Sequence, residues 1–323
     1  MKHSTQRFAG GLKKAAQSAF WSGVHAYKSS SNFTGIPRLA SFPFISCDTY
    51  RSISTVVIDR DFKSDDLQNV KLGPGHEVIY IELSFLKDRG GEGPLLDWIT
   101  TSDFSSVSIV LHNHCWVPAP NYLSQLVAAG AQVFSVHIND GVPGVTPIPV
   151  GIENAIRRKN GVLDDFHLYQ DLARRPFASD TERTDMIFGA FKTSTNPHGR
   201  EPLARALTQS RHGFSSSRLS VTDFRRRVLK SHFVASPPGK GPDSYRTWES
   251  IYLGAVPIVL RGTLAKSLSD NLPIWVVDDW EEALTASDDA LVERYHLTKQ
   301  APTEKAFFSF WNSAIAEPRQ ENR

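Results

Sequence analysis

At 323 residues the chain is longer than one hydrophobic core serves, since cores stop growing at roughly 250–300 residues, so two units are expected. Hydrophobic residues make up 40% and aromatics 11%, which excludes wholesale disorder; a formal net charge of +2 excludes the large positive excess typical of nucleic-acid binders. Two cysteines, Cys47 and Cys115, exclude a disulfide framework and a CxxC zinc site, and they fit a reducing compartment.

Residues 1–35 form a basic N-terminal extension. Phe8, Leu12, Ala15, Ala19 and Phe20 fall near one face of a helix predicted over Gln6–Tyr27, with Lys13 and Lys14 elsewhere. Such a helix packs on the protein or lies on an anionic membrane surface. No run approaches the ~20 apolar residues of a bilayer span, and no apolar signal region precedes a cleavage site. The expected location is therefore cytoplasmic, peripheral at a membrane if the helix docks there.

Residues 36–165 read as a first α/β unit. Thr55–Ile58, Val78–Leu83, Val107–Leu111 and Gln132–Val136 are buried-strand runs rich in Val and Ile. A helix over Tyr122–Ala129 ends at Gly130 in the C′ position. Strand–helix alternation predicts a parallel sheet covered by helices. Asn139-Asp140-Gly141 reads as a turn, and Glu153 and Asn154 sit near the crossover between the units. The polar stretch 155–184 reads as helix and linker.

Residues 183–300 repeat the architecture. Strands are predicted over Met186–Phe191, Phe233–Ser236, Ala255–Leu260 and Ile274–Val277, with helices over Pro202–Gln209, Val221–Leu229 and Ser244–Leu253. Arg225-Arg226-Arg227 reads as a solvated helix face. Residues 301–323 carry Phe307, Phe308, Phe310 and Trp311 on a helix that must bury itself, for example back across both units.

Ligands of open α/β sheets bind beyond the carboxyl ends of the strands, so the loop after Phe233–Ser236 is the first place to look. There Pro237-Pro238-Gly239-Lys240-Gly241 leads into a helix that Asp243 or Ser244 can cap. The helix N-terminus suits a phosphate, Arg246 adds a permanent bidentate cation, and Glu249 can accept two ribose hydroxyls. The loop is neither GxxxxGK[ST] nor GxGxxG. An Arg246–Glu249 surface pair at i,i+3 is the plain alternative.

The run Ser231–Trp280 resembles the donor-binding motif of exostosin-like glycosyltransferases. The residues that carry the likeness are Arg246-Thr247-Trp248-Glu249, Gly254-Ala255-Val256-Pro257-Ile258-Val259 and Leu272-Pro273-Ile274-Trp275-Val276-Val277-Asp278-Asp279-Trp280. Weaker likeness extends to Phe188-Gly189-Ala190-Phe191 with Asn196 and Arg200, and to Pro147–Asn154. The resemblance implies a GT-B fold of two Rossmann-like domains facing a cleft, with the nucleotide-sugar donor on the second and a glycan or glycolipid acceptor on the first. It further implies inverting transfer without a metal cofactor. Donor binding falls to Arg246, Arg200, Glu249, Lys240, Gly239 and Ser244, with Lys192 a lesser cation. Asp278 reads as a cap for the next helix.

Inverting transfer needs a base. Relatives often carry His-Asn-Ser-Asp where this chain has His112-Asn113-His114-Cys115, so His114 and Asp48 are the candidates, with Glu82 a third. Asp59-Arg60-Asp61 has a DxD pattern but reads as a turn, and alternating strand positions keep His112, His114 and Cys115 from sharing one metal. Two further readings stand beside the enzyme. One is a non-catalytic nucleotide-sugar or glycan binder; the other is a membrane or RNA adaptor using the N-terminal helix and Arg225–Arg227. No nucleic-acid partner is expected on the first reading.

Overall fold

The computed structural model describes residues 41–59, 70–84, 92–154, 166, 183–216 and 219–317. The helix predicted over Gln6–Tyr27 and most of the 155–184 linker lie outside the described residues.

Two five-stranded parallel sheets organise the chain. The first has the order β1 (Val56–Ile58), β2 (Glu77–Glu82), β3 (Val107–His112), β4 (Gln132–Ser135) and β5 (Val145–Pro147). Its central strands β2 and β3 are buried along nearly their whole length, as expected where both faces are covered. One face carries Ile79, Ile81, Ile109, Leu111 and Val133. It packs on α2 (Glu92–Thr101) and α3 (Pro120–Ala128) through Leu95, Ile99, Leu123 and Leu126. Both helices lie on one face because sequential strands joined by crossovers of one hand return on the same side. Pro120 opens α3 and Gly130, at φ 92°, closes it in the left-handed conformation that glycine adopts without strain.

The other face of this sheet carries Val78, Tyr80, Val110 and Phe134. It is covered by α1 (Cys47–Ile53) and by α10 (Phe308–Ala316), an element from the far end of the sequence. Phe308 stacks edge-on to Tyr50 at 5.4 Å, and its amide donates to the Pro43 carbonyl at 3.0 Å. His76 Nε2 lies 2.9 Å from the Ile315 carbonyl.

The second sheet has the order β10 (Trp275–Val277), β9 (Val256–Leu260), β8 (Ser231–Ala235), β6 (Asp185–Ala190) and β7 (Gly213–Ser215). The first connection runs outward to β7 through α4 (Pro197–Gln209), and the next crosses back past β6 through α5 (Val221–Leu229). The remaining strands follow via α6 (Tyr245–Tyr252) and α7 (Lys266–Ser269). The two directions put helices on opposite faces. Leu203 and Leu207 of α4 pack with Ala283 of α8 (Trp280–Leu284) and with Leu291 of α9 (Asp288–Lys299). Val228 of α5, Trp248 and Ile251 of α6, and Leu268 of α7 cover the other face.

Side-chain caps set most starts: Asn196 accepts from the Gly199 amide at 3.2 Å and Ser220 from that of Asp223 at 3.0 Å. Asp279, not Asp278, caps α8, at 3.1 Å from the Glu282 amide. Asp278 instead pairs with Arg261 at 2.5 Å, a neighbour that sequence order does not reveal. The arginine run also departs from a solvated face. It does so at one position: Arg225 is 0% exposed, whereas Arg226 and Arg227 are both exposed and pair with Asp223 at 3.1 Å and Asp185 at 3.3 Å. The turn at Asp140 does more than reverse the chain. Its carboxylate accepts from the Lys266 amide at 2.5 Å and the Ser267 amide at 3.2 Å, capping α7 from the other sheet's loops.

One apolar cluster spans both halves, from Phe44, Tyr50 and Val110 to Trp248, Tyr252 and Val259. The Tyr252 hydroxyl accepts from the Ile45 amide at 3.2 Å and donates to the Ala306 carbonyl at 2.6 Å, tying three distant stretches together. Among the described residues no helix is long and apolar enough to cross a membrane.

Candidate functional site

The strand order of the second sheet reverses between β6 and β8, because β7 lies to one side of β6 and β8, β9 and β10 to the other. At such a reversal the loops leaving two neighbouring strands part and open a crevice at their carboxyl ends, where ligands of doubly wound sheets bind. Phe191 and Lys192 leave β6 at this point, and Ser236–Gly241 leaves β8.

Arg200, on α4, is 6% exposed and bridges the two loops. Its Nε donates to the Pro238 carbonyl at 2.7 Å, Nη2 to that of Pro237 at 3.3 Å and Nη1 to that of Lys192 at 3.0 Å. This fixes the crevice wall and leaves Arg200 less able to grip a phosphate bidentately than its sequence position suggests. Gly239 donates its amide to the Gly241 carbonyl at 3.0 Å, and a Cβ on Gly239 would stand 3.3 Å from Arg200 Nη2. Lys240 is exposed at the loop tip.

Arg246 occupies the first turn of α6, half-buried, with its guanidinium carbon 5.9 Å from the Phe191 ring centre and 6.0 Å from that of Phe224. Among the described residues it makes no ion pair within 4.0 Å, and its Nε has no hydrogen-bond partner. Burial and the neighbouring Arg200 charge lower its pKa to about 10, against the pull of Glu249. The Arg200 and Arg246 guanidinium carbons lie 5.7 and 5.9 Å from the Phe191 ring centre, and neither makes an ion pair among the described residues, a condition in which an anion binds well. Ser244 holds the N-cap position but its hydroxyl makes no cap bond. That hydroxyl faces the Ser236 hydroxyl at 3.4 Å, and the Ser236 hydroxyl is 2.8 Å from Thr247 Oγ1.

Glu249, one helical turn further along, is 8% exposed. Burial raises its carboxyl to about 7, while Arg225 first and Arg246 second pull it down and Glu153 pushes it up. Asp243 does not cap α6. It is buried with both oxygens 3.0 Å from the Trp248 indole nitrogen, and it accepts the Val150 amide from the other half at 2.9 Å. Burial raises it to about 7 as well.

The first sheet presents its own carboxyl ends to this loop. Glu82 and His112 are register partners at the ends of β2 and β3. His114 is 5% exposed, and among the described residues neither ring nitrogen makes a hydrogen bond of normal geometry, although the His112 and Val136 backbones favour its charged form. Burial lowers it to about 4, so at neutral pH it is an uncharged imidazole and a weaker base than a solvated one. His137, which the sequence reading passed over, joins it. Its ring sits 5.6 Å from that of His114 at 85°, and its backbone is left-handed at φ 60°. A Cβ on Gly241 would stand 2.6 Å from the His137 ring, so this imidazole rests directly on the Ser236–Gly241 loop. A histidine in that backbone region is uncommon, and nothing in the local sequence announces it.

Asp48 is 1% exposed in the first turn of α1 and faces Arg51 Nη1 at 3.8 Å. Arg51 also pairs with Asp59, and the Cys47 thiol lies 2.8 Å from the Tyr80 hydroxyl. The two candidate bases therefore sit in different surroundings: Asp48 among α1 and β2 groups, His114 against His137, which itself touches the Ser236–Gly241 loop. Cys115 is exposed. Among the described residues no group of three or more His, Cys, Asp or Glu side chains is placed to hold a metal ion.

No protein-family model matches the chain, and no curated protein matches it.

Proposed function

We propose that the protein is an inverting glycosyltransferase that takes its sugar from a nucleoside-diphosphate donor, with the two sheets arranged as in GT-B enzymes. The observation that carries this reading is the Arg246 guanidinium, which has no ion-pair partner among the described residues and feels the Arg200 charge, at the mouth of α6 and at the strand-order reversal. The resemblance of Ser231–Trp280 to the exostosin-like motif, which includes Arg246, supports the same assignment.

The donor diphosphate lies against Arg246 and the first amides of α6, and Glu249 accepts the ribose hydroxyls. The acceptor, a glycan or glycolipid hydroxyl, enters from the carboxyl ends of β3 and β4. His114 takes its proton as the acceptor oxygen bonds to the anomeric carbon. The bond from that carbon to the diphosphate breaks on the opposite face, and its electron pair leaves on the phosphate oxygen. Arg246 stabilises the charge that develops there.

Thermal melting with UDP, GDP, CMP and their sugars, with and without magnesium, tests the proposal. A ligand that binds the folded state alone raises the melting temperature by mass action. One nucleoside diphosphate is expected to raise it in the wild type and to fail in Arg246→Ala. Release of that diphosphate from its sugar, lost in His114→Ala with binding intact, separates an enzyme from a binding protein on the same scaffold. No shift from any nucleotide overturns the reading.

A further inference from the structure

A strained residue of the first half seats a loop of the second. His137 follows β4 and is 7% exposed, with its backbone at φ 60°, a region costly to most residues other than glycine. Anchors on either side hold it there. The Val136 amide donates to the Leu111 carbonyl at 3.2 Å, and three residues beyond His137 the Asp140 carboxylate accepts the Lys266 and Ser267 amides at 2.5 and 3.2 Å. The ring meets Gly241 closely: a Cβ there would stand 2.6 Å from both Cε1 and Nε2 and 3.0 Å from Cδ2. Gly241 lies in the connection between β8 and α6, which is held at three points. Arg200 of the second half holds the Pro237 and Pro238 carbonyls, His137 meets Gly241, and Asp243 accepts the Val150 amide at 2.9 Å. Two of these three anchors belong to the first half. The Gly239 amide donates to the Gly241 carbonyl at 3.0 Å, so a shift of Gly241 moves Gly239, which borders Arg200, and the chain that leads on to Arg246.

We infer that His137 is a positioning residue for the nucleoside-diphosphate site: it seats Gly241 and so fixes the Ser236–Gly241 loop beside Arg246, without itself touching the ligand. The inference rests on the donor-site reading above, and adds that the site is complete only when the first half supplies this ring. Strained backbone persists where its surroundings over-determine it, and it gathers at binding sites. Here the strain aims a bulky side chain across the boundary between the two sheets, at a loop of the strand-order reversal.

Calorimetric titration of UDP and GDP into wild type, His137→Asn, Gly241→Ala and the double variant tests the idea, at a temperature where melting curves show each protein fully folded. Asparagine tolerates the left-handed backbone and removes the ring. Alanine at Gly241, which is not left-handed, pushes against the ring from the other side. Each single variant should bind the nucleotide roughly ten-fold more weakly, within the range for coupled neighbours. In the double variant the added methyl takes space that the ring has left, so affinity should recover to within about three-fold of wild type. Under a packing role alone the single variants would melt earlier but bind as wild type once folded, and that result overturns the inference. So does a loss confined to one of them, or losses that simply multiply in the double variant. If wild type binds neither nucleotide, the donor-site reading itself falls and takes this one with it; wild-type binding that both single variants retain removes the role of His137 alone.

Discussion

Three imidazoles, His112, His114 and His137, are held uncharged by burial, with pKa values lowered to about 3, 4 and 3. In the unfolded chain they titrate near 6.5. Below that value the unfolded state binds more protons, so their contribution to stability is complete above about pH 6.5 and is lost as pH falls toward 4. His114→Phe is therefore expected to flatten the acid limb of a urea-midpoint profile between pH 4 and 6.5. Asp243 acts with the opposite sign. Its folded pKa of about 7 lies above the unfolded value, so it favours the folded state at low pH and the advantage is lost as pH rises through 7. Asp243→Asn should remove that decline while keeping one acceptor for the Val150 amide or the Trp248 indole. At this scale the sequence exposes Arg246 and Glu249, because helix-start chemistry is local. It hides the burial of Arg225, whose guanidinium carbon lies 3.9 Å from the centre of the Phe166 ring, some distance back along the chain. It hides His137 too, because only the fold fixes its left-handed backbone.

At the scale of elements, the long Val- and Ile-rich strands were legible from hydrophobicity alone, since each is buried on both faces. Strands β5 and β7 were not. Each has three residues, VTP and GFS, and Pro, Gly and Ser are ordinarily loop signals. Their pairing with β4 and β6 supplies what local propensity does not. The junction Val150–Ile152 is similarly non-local. Gly151 lies at φ 68°, the Ile152 amide donates to the Ile45 carbonyl at 2.8 Å, and a Cβ on Gly151 would stand 2.0 Å from the Ile45 oxygen. Gly151→Ala combines left-handed strain with overpacking and should lose roughly 2–5 kcal/mol in chemical denaturation.

For the whole molecule, the decisive fact is that the two sheets share an apolar cluster. Units with separate cores melt separately; here α10 and Tyr252 bind both halves into one packing problem. Calorimetry should show one transition. Trp311→Ala, which empties a site 3% exposed on α10, should lower the whole transition by about 3–5 kcal/mol of stability without splitting it. Two resolved peaks in the wild type would contradict this. The aromatic tail announced its need for burial in the sequence. Which face it fills could not be read there, since that depends on the first sheet leaving one side open.

That open side has a consequence during synthesis. The strands of the first sheet leave the ribosome about 160 residues before α10, a delay of about 10 to 30 s at typical elongation rates. For that interval the nascent chain carries Val78, Tyr80, Val110 and Phe134 without the helix that covers them. That side of the first sheet is therefore completed only once α10 has been made.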